Sequence, residues 1–456
     1  MPQIRARQAL LADGWAEDVL VTIRPDGRIG AVRPAAPGDA GAACRDILLP
    51  APANLHSHAF QRAMAGLTER RGPDPRDTFW TWRQLMFRFL DHLTPEDVQA
   101  IAAFVQMEML EAGYACNVEF HYLHHRPGGA PHDDIAEMSA RIAAAAAETG
   151  IGLTLLPVLY QYGGCDGRGL GAGQIRFGND PDSFARLVDG ARAALRALPP
   201  DTGAGVAPHS LRAVGPEGLA AAVALAGDGP IHMHLAEQLA EVEEVEAAWG
   251  TRPVRWALAN LPLDARWCLI HCTQMQPDET RALARTGAVA GLCPITESSL
   301  GDGIFDGVRW LEAGGRFGAG SDSNIRISLV EELRTLEYSQ RLRDRGRAVL
   351  ATPGRSTGRT LFEGAALGGA QAAGRDSGAI APGKWADLLA LDGGAVDLAG
   401  RRGDTVLDAW IFAGSDRMAC DVWAAGRHMV QDGRHVARDA ITRRYGETLR
   451  RLRDAL

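Results

Sequence analysis

The sequence predicts a (β/α)8 TIM barrel with a small β-sandwich domain formed from both chain ends. Three observations carry that expectation. Between residues 49 and 374, eight apolar, strand-like runs alternate with Ala/Leu/Glu/Arg-rich helical stretches, the pattern of a closed parallel barrel. On either side, residues 1–48 and 375–437 are β-rich and rich in turn residues. The polar residues with ligand or acid–base chemistry fall where the apolar runs end, the face on which such barrels gather their chemistry.

In chain order, residues 18–23 and 28–32 are strand-like and flank Pro25-Asp26-Gly27, a hairpin turn. The barrel runs end near His58, Tyr122, Gln161, His209, His234, His271, Thr296 and Asp322, with helices read at 135–149, 184–198 and 235–249. After a helical region through Gly369, residues 386–391, 406–412 and 418–430 read as strands that pack with the N-terminal ones. Residues 438–456, rich in Arg and Leu, read as a terminal helix.

Composition narrows the function. A formal net charge of -8 argues against nucleic acid or an anionic membrane as the main partner. On this reading Arg70-Arg71 and the Arg-rich run 341–345 are solvated helix faces. The 7 cysteines are scattered, odd in number and without a Cys-x-x-Cys, as expected of reduced thiols in a cytoplasmic protein. No signal-like start and no run of membrane-spanning length is evident. The one lysine, Lys384, lies outside the barrel, so neither a Schiff-base lysine nor a lysine bridge between two metals is available within it.

The first barrel run ends in His56-Ser57-His58. Alternation along a strand puts both imidazoles on one side, about 7 Å apart along the backbone. A second pair, His232-Met233-His234, ends the fifth run; His234, nearer the mouth, is the expected ligand, with His232 beneath it. Asp322 ends the eighth run, where its other reading is a helix cap. His56, His58, His234 and Asp322 thus offer three nitrogens and a carboxylate to one divalent ion, zinc first and iron(II) second, with a position left for water. Glu237 follows His234 by three residues, either as a proton donor or as a glutamate favoured at a helix start. His271 ends the sixth run, either beside the metal or as a core histidine.

These residues resemble the amidohydrolase superfamily, and within it the deaminase branch with a single metal. Longer blocks narrow the resemblance to the formimidoylglutamate deiminases: residues 52–66, Phe79-Trp80-Thr81-Trp82-Arg83, Glu119-Phe120-His121-Tyr122-Leu123-His124-His125, His209-Ser210-Leu211-Arg212 and Leu300-Gly301-Asp302-Gly303. Asn117 and the pair Ser298-Ser299 depart from that pattern. The resemblance implies hydrolysis of N-formimino-L-glutamate to N-formyl-L-glutamate and ammonia in histidine breakdown, by a homodimer acting on a small dicarboxylate. Catalysis would use Glu237 as general acid, with His271 and Asp322 taking the water proton. Arg83 in the loop after the first strand, Tyr122, His209 and Arg212 would meet the carboxylates, and Gln61 the formimino group. The rival reading is an aminohydrolase of a purine or other cyclic amidine, which calls for a flat apolar pocket. A barrel that only binds a partner should lack part of this ligand and acid set.

Overall fold

The computed structural model describes residues 1–39, 41–69 and 79–455, with the side chains of residues 79–81 and 455 left out. Arg70-Arg71 therefore lies outside the described residues, and of the Phe79–Arg83 block only the side chains of Trp82 and Arg83 fall within them.

Eight parallel positions form the barrel. They are Ala53–Ser57, Cys116–His121, Gly152–Leu159, a fourth split into Gly203–Ala204 and Ala207–Pro208, then Ile231–Leu235, Trp267–His271, Val289–Leu292 and Arg316–Ala319. Near-continuous burial along each strand reflects helices outside and packed side chains inside. Two hydrogen-bonded ladders run over strands one to four and five to eight. Single bonds join them on one side: His232 N donates to Val206 O at 3.1 Å and His234 N to His209 O at 3.0 Å. On the other, the Asp322 N–H donates to His56 O at 2.9 Å, and the His58 N–H to Asp322 O at 2.9 Å. Gly320 permits that second closure, since a Cβ there would lie 2.8–2.9 Å from His56 atoms.

Local signals set the helix starts. The helix expected from 184 begins at Pro181, where Asp180 and Ser183 form a reciprocal capping box. Thr94 and Asp97 cap Pro95–Glu111 in the same way. Three expectations are corrected. Arg83 lies on a helix, Phe79–Leu90, rather than in a loop. The seventh strand ends at Leu292, and Thr296 belongs to the helix Pro294–Leu300, which Pro294 opens. Residues 406–412 are no strand: Asp404–Phe412 is a helix with Val406, Leu407, Trp410 and Ile411 buried, a helical spacing that packs on Leu329–Asp344 and Thr357–Ala372.

The remaining β segments from both ends form one path of eight strands. Its order is Arg434–His435, Arg427–Gln431, Ala419–Ala424, Leu388–Leu391, Ala43–Pro50, Gln3–Leu11, Gly14–Ile23, Ile29–Pro34. Pro25-Asp26-Gly27 turns the last pair as expected, with Gly27 at φ 83°. Alternation splits the central pair between two cores. Leu48, Leu388 and Ala390 join Ile4, Val21 and Trp423 in a small core of their own. Ile47, Leu49, Leu389 and Leu391 face the barrel core instead. The Leu329–Asp344 helix carries the Arg-rich run, with Arg341 on Glu337 at 2.6 Å and Leu342 exposed.

Candidate active site

His56, His58 and His234 meet at the C-terminal mouth of the barrel. His56 Nε2 lies 3.2 Å from both His58 Nε2 and His234 Nε2. The other ring nitrogens settle the tautomers of two of them. His58 Nδ1 faces the Phe120 carbonyl at 2.9 Å, and His234 Nδ1 the His209 carbonyl at 3.1 Å. A carbonyl only accepts, so both Nδ1 atoms carry the proton and both Nε2 lone pairs point inward. Inward lone pairs at this distance repel unless a cation lies between them. Ligands of a tetrahedral ion at zinc–nitrogen distances are themselves about 3.3 Å apart, so the donor set fits such an ion. Asp322 Oδ1 adds a carboxylate oxygen 3.3 Å from His58 Nε2 and 3.6 Å from His56 Nε2. Burial pushes the His58 imidazole down to about 3, against the opposing Phe120 carbonyl, and lowers His56 and His234 as well. All three are neutral at pH 7, as ligands must be.

Three of these strand ends leave ordinary backbone conformation. His271 at φ 71°, Asp322 at φ 46° and Ala236 at φ 53° are left-handed non-glycine residues. Such conformations cost on the order of 1 kcal/mol or more each and are concentrated at functional sites. Here they coincide with the sixth and eighth strand ends and with the turn between His234 and Glu237. Asp322 does not cap the following helix; Ser328 does.

His271 sits among three carboxylates. Its Nδ1 is 3.2 Å from Glu297 Oε1, and its Nε2 is 3.6 Å from Asp322 Oδ2 and 3.8 Å from Glu237 Oε1. Burial lowers its pKa, but Glu237, the Glu297 hydrogen bond and Asp322 outweigh this and raise it to about 10. Asp322 is pushed up to about 7 by burial, opposed by His271; a divalent cation among the histidines would hold it ionised. Glu237 precedes the helix Leu239–Trp249, and its backbone N–H donates to Glu241 Oε2 at 2.9 Å. Its side chain faces His271 and Arg212, so it is more than a helix-start charge.

The remaining expected residues line a cleft of about 520 Å³ above the histidines. Gln61 Nε2 donates to Tyr122 Oη at 2.6 Å, and Gln61 Oε1 has no partner among the described residues. Arg83 Nη2 donates to Tyr160 Oη at 2.6 Å. The His209 ring packs 4.6 Å from that of Tyr160. Arg212 is buried, with Nη2 3.5 Å from Glu237 Oε2 and Nε 4.0 Å from Glu241 Oε2. His232 stays beneath, on the Ala372 carbonyl at 2.8 Å. Sequence reasoning missed Glu297, whose Oε1 also takes the Cys293 N–H at 2.9 Å, although it follows the end of a barrel strand. Tyr160, Trp82, Met86 and Phe177 in the cleft wall were missed too. Glu119, quoted only within a block, accepts the Ala59 N–H at 2.7 Å and a bond from Asn117 at 3.2 Å; burial lifts it to about 7.

Residues 47–429 match the model of the amidohydrolase family. The chain belongs to the amidohydrolase family. Residues 1–44 of this amidohydrolase match a second model, "Formimidoylglutamate deiminase HutF, N-terminal domain". Among curated proteins, a formimidoylglutamate deiminase of Pseudomonas aeruginosa is 48% identical over 456 residues, covering 100% of both chains. An 8-oxoguanine deaminase of the same organism is 29% identical over 86% of this chain and 84% of its own. Of solved structures, an amidohydrolase from Brucella melitensis superposes with a TM-score of 0.95 at 48% identity, covering 99% of this chain and 100% of its own. An adenosine deaminase from Xanthomonas campestris with bound zinc gives 0.82 at 22% identity, over 99% and 98% of the two chains, a likeness of fold alone. Family membership and the three-histidine cluster together support a divalent metal.

Proposed function

We propose that this amidohydrolase is a formimidoylglutamate deiminase: N-formimino-L-glutamate and water give N-formyl-L-glutamate and ammonia, as in histidine breakdown. The observation that carries the reading is the 48% identity to a curated enzyme of that activity along the whole chain, with no segment unmatched. The cleft supports it. Two guanidiniums, Arg83 and Arg212, share a wall with His209, Tyr122 and Gln61, which suits a short dicarboxylate better than a purine.

His56, His58, His234 and Asp322 would hold one ion, zinc in preference to iron(II). Bound there, it supplies Lewis acidity and a water acidified toward neutrality. Asp322 and His271, 3.6 Å apart, stand where a water proton can be taken, provided that the charge of a bound ion offsets the carboxylates that raise His271 and so frees its imidazole nitrogen. Glu237 delivers a proton to the departing nitrogen, so that ammonia leaves and the carbonyl forms. Glu297 keeps His271 oriented. Arg212 balances the buried Glu237 and Glu241 on one side and presents donors to a carboxylate on the other. The same reading takes the protein to be a cytoplasmic homodimer.

Ammonia release from formimidoylglutamate, measured beside guanine and adenosine with zinc-loaded protein, tests the proposal. Turnover of the linear amidine alone is expected; turnover of a purine alone would replace this reading by its rival. Metal analysis should give close to one ion per chain. Two retained ions, with activity following the second, would overturn the single-metal reading.

A further inference from the structure

Tyr160, just after the third barrel strand, is buried in the cleft wall. Its phenolic oxygen accepts from Arg83 Nη2 at 2.6 Å and from Gln174 Nε2 at 3.0 Å. Both assignments are firm. A guanidinium only donates, and Gln174 is oriented by its Oε1, which takes the Gly171 N–H at 2.9 Å. A phenol has two lone pairs and one proton to give. Both lone pairs are engaged, and among the described residues nothing accepts the proton. A buried donor without an acceptor is costly, so the O–H is available to whatever enters the cleft. An O–H calls for an acceptor, and the acceptors that the proposed substrate brings to this wall are its carboxylates.

We propose that Tyr160 is a specificity-determining residue that donates its O–H to the side-chain carboxylate of the substrate, held in place by Arg83 and Gln174. This rests on the formimidoylglutamate reading. The choice between the two carboxylates comes from ring positions. Tyr122 packs directly on His58, with centroids 4.8 Å apart. Tyr160 is one ring further out: it packs on His209 at 4.6 Å, and His209 on His234 at 4.9 Å. The carboxylate nearer the reacting carbon belongs to the inner shell, and the distal one reaches Tyr160. Phe177, 5.6 Å from the Tyr160 ring, backs the phenol with an apolar surface that limits competing water.

The test is Tyr160→Phe, which keeps the ring and deletes the donor. Zinc-loaded wild type and variant are titrated calorimetrically with N-formyl-L-glutamate and with N-formylglycine, which lacks the distal carboxylate. Affinity for N-formyl-L-glutamate should fall about 10- to 100-fold, the worth of a hydrogen bond to a charged group. Affinity for N-formylglycine should stay within about twofold, with zinc content unchanged. Equal weakening of both ligands would mean that Tyr160 merely supports the cleft, and an unchanged affinity for N-formyl-L-glutamate would remove it from recognition; either overturns the proposal. Wild-type turnover of formimidoylglutamate is measured alongside. Its absence would sink the functional reading, while the contrast between the two ligands still decides the role of Tyr160.

Discussion

His232 and His234 are two residues apart on one strand, yet the structure surrounds them differently, and replacing each by glutamine tests the different roles proposed for them. His234 contributes one of three inward Nε2 atoms 3.2 Å from a neighbour. Its loss should weaken the ion by more than the 10- to 100-fold typical of losing an outer-shell partner. With zinc in excess, a 100-fold weaker site costs about 2.7 kcal/mol of stability through mass action. His232 instead holds the Ala372 carbonyl at 2.8 Å in a fully buried position. A flexible glutamine amide in place of the fixed ring weakens that bond, at a cost of about 1 kcal/mol, without touching the ion. In zinc, therefore, both variants should melt a few degrees below wild type. Chelator tells them apart. The His234→Gln deficit should vanish, because wild type has then lost the same ion, whereas the His232→Gln deficit should persist. Metal analysis after dialysis should find close to one ion in His232→Gln and far less in His234→Gln. Metal loss from His232→Gln, or a chelator-insensitive deficit in His234→Gln, would refute the assignment of the inner ligand.

Glu237→Gln should keep its metal while kcat falls roughly 100-fold or more, the usual worth of a positioned acid; a parallel loss of metal would show that it serves the ion. Arg212→Met should lower kcat/KM for formimidoylglutamate on the order of 100-fold, with a smaller loss on amidines lacking carboxylates, because Glu237 and Glu241 lose their counter-charge. Equal losses on both substrates would leave Arg212 a purely internal partner. His121 is buried with its pKa pushed down to about 3 by burial, against about 6.5 when unfolded. The unfolded chain therefore binds this proton first, and the stability His121 contributes above pH 6.5 is lost as pH falls toward 3, by about 1.4 kcal/mol per unit. Urea titrations between pH 7 and 5 should show a shallower acid slope for His121→Asn, and identical slopes would disprove the linkage.

The barrel was legible in eight apolar runs alternating with helical stretches, and the meeting of His56, His58, His234 and Asp322 in their places at the ends of those runs. The 406–412 helix was misread because Val, Leu, Trp and Ile suit strands by type, while their burial at 406, 407, 410 and 411 follows the helical period. Glu297 was hidden by the strand end placed at Thr296, although Pro294 marks a helix start. The Arg83–Tyr160–Gln174 contact was out of reach, because a Gly-rich connection of no fixed period brings Gln174 back to the phenol. Nor does any residue type announce the left-handed backbone at His271 and Asp322.

The order in which the chain leaves the ribosome gives the two-ended sheet a consequence for biosynthesis. The strand Ala43–Pro50 must wait for Leu388–Leu391, and Ala53–Ser57 for Ser321 and Asp322, before both edges of each are covered. At about 5–20 residues per second, those early strands stay open on one side for some tens of seconds. An uncovered apolar edge is a template for pairing with another nascent chain. The N-terminal hairpin Gln3–Leu11/Gly14–Ile23 acts as an early guard, because it pairs in parallel with Ala43–Pro50 and leaves only the far edge exposed. Chains truncated before residue 388 should accordingly need chaperone protection that the full-length protein needs only in passing.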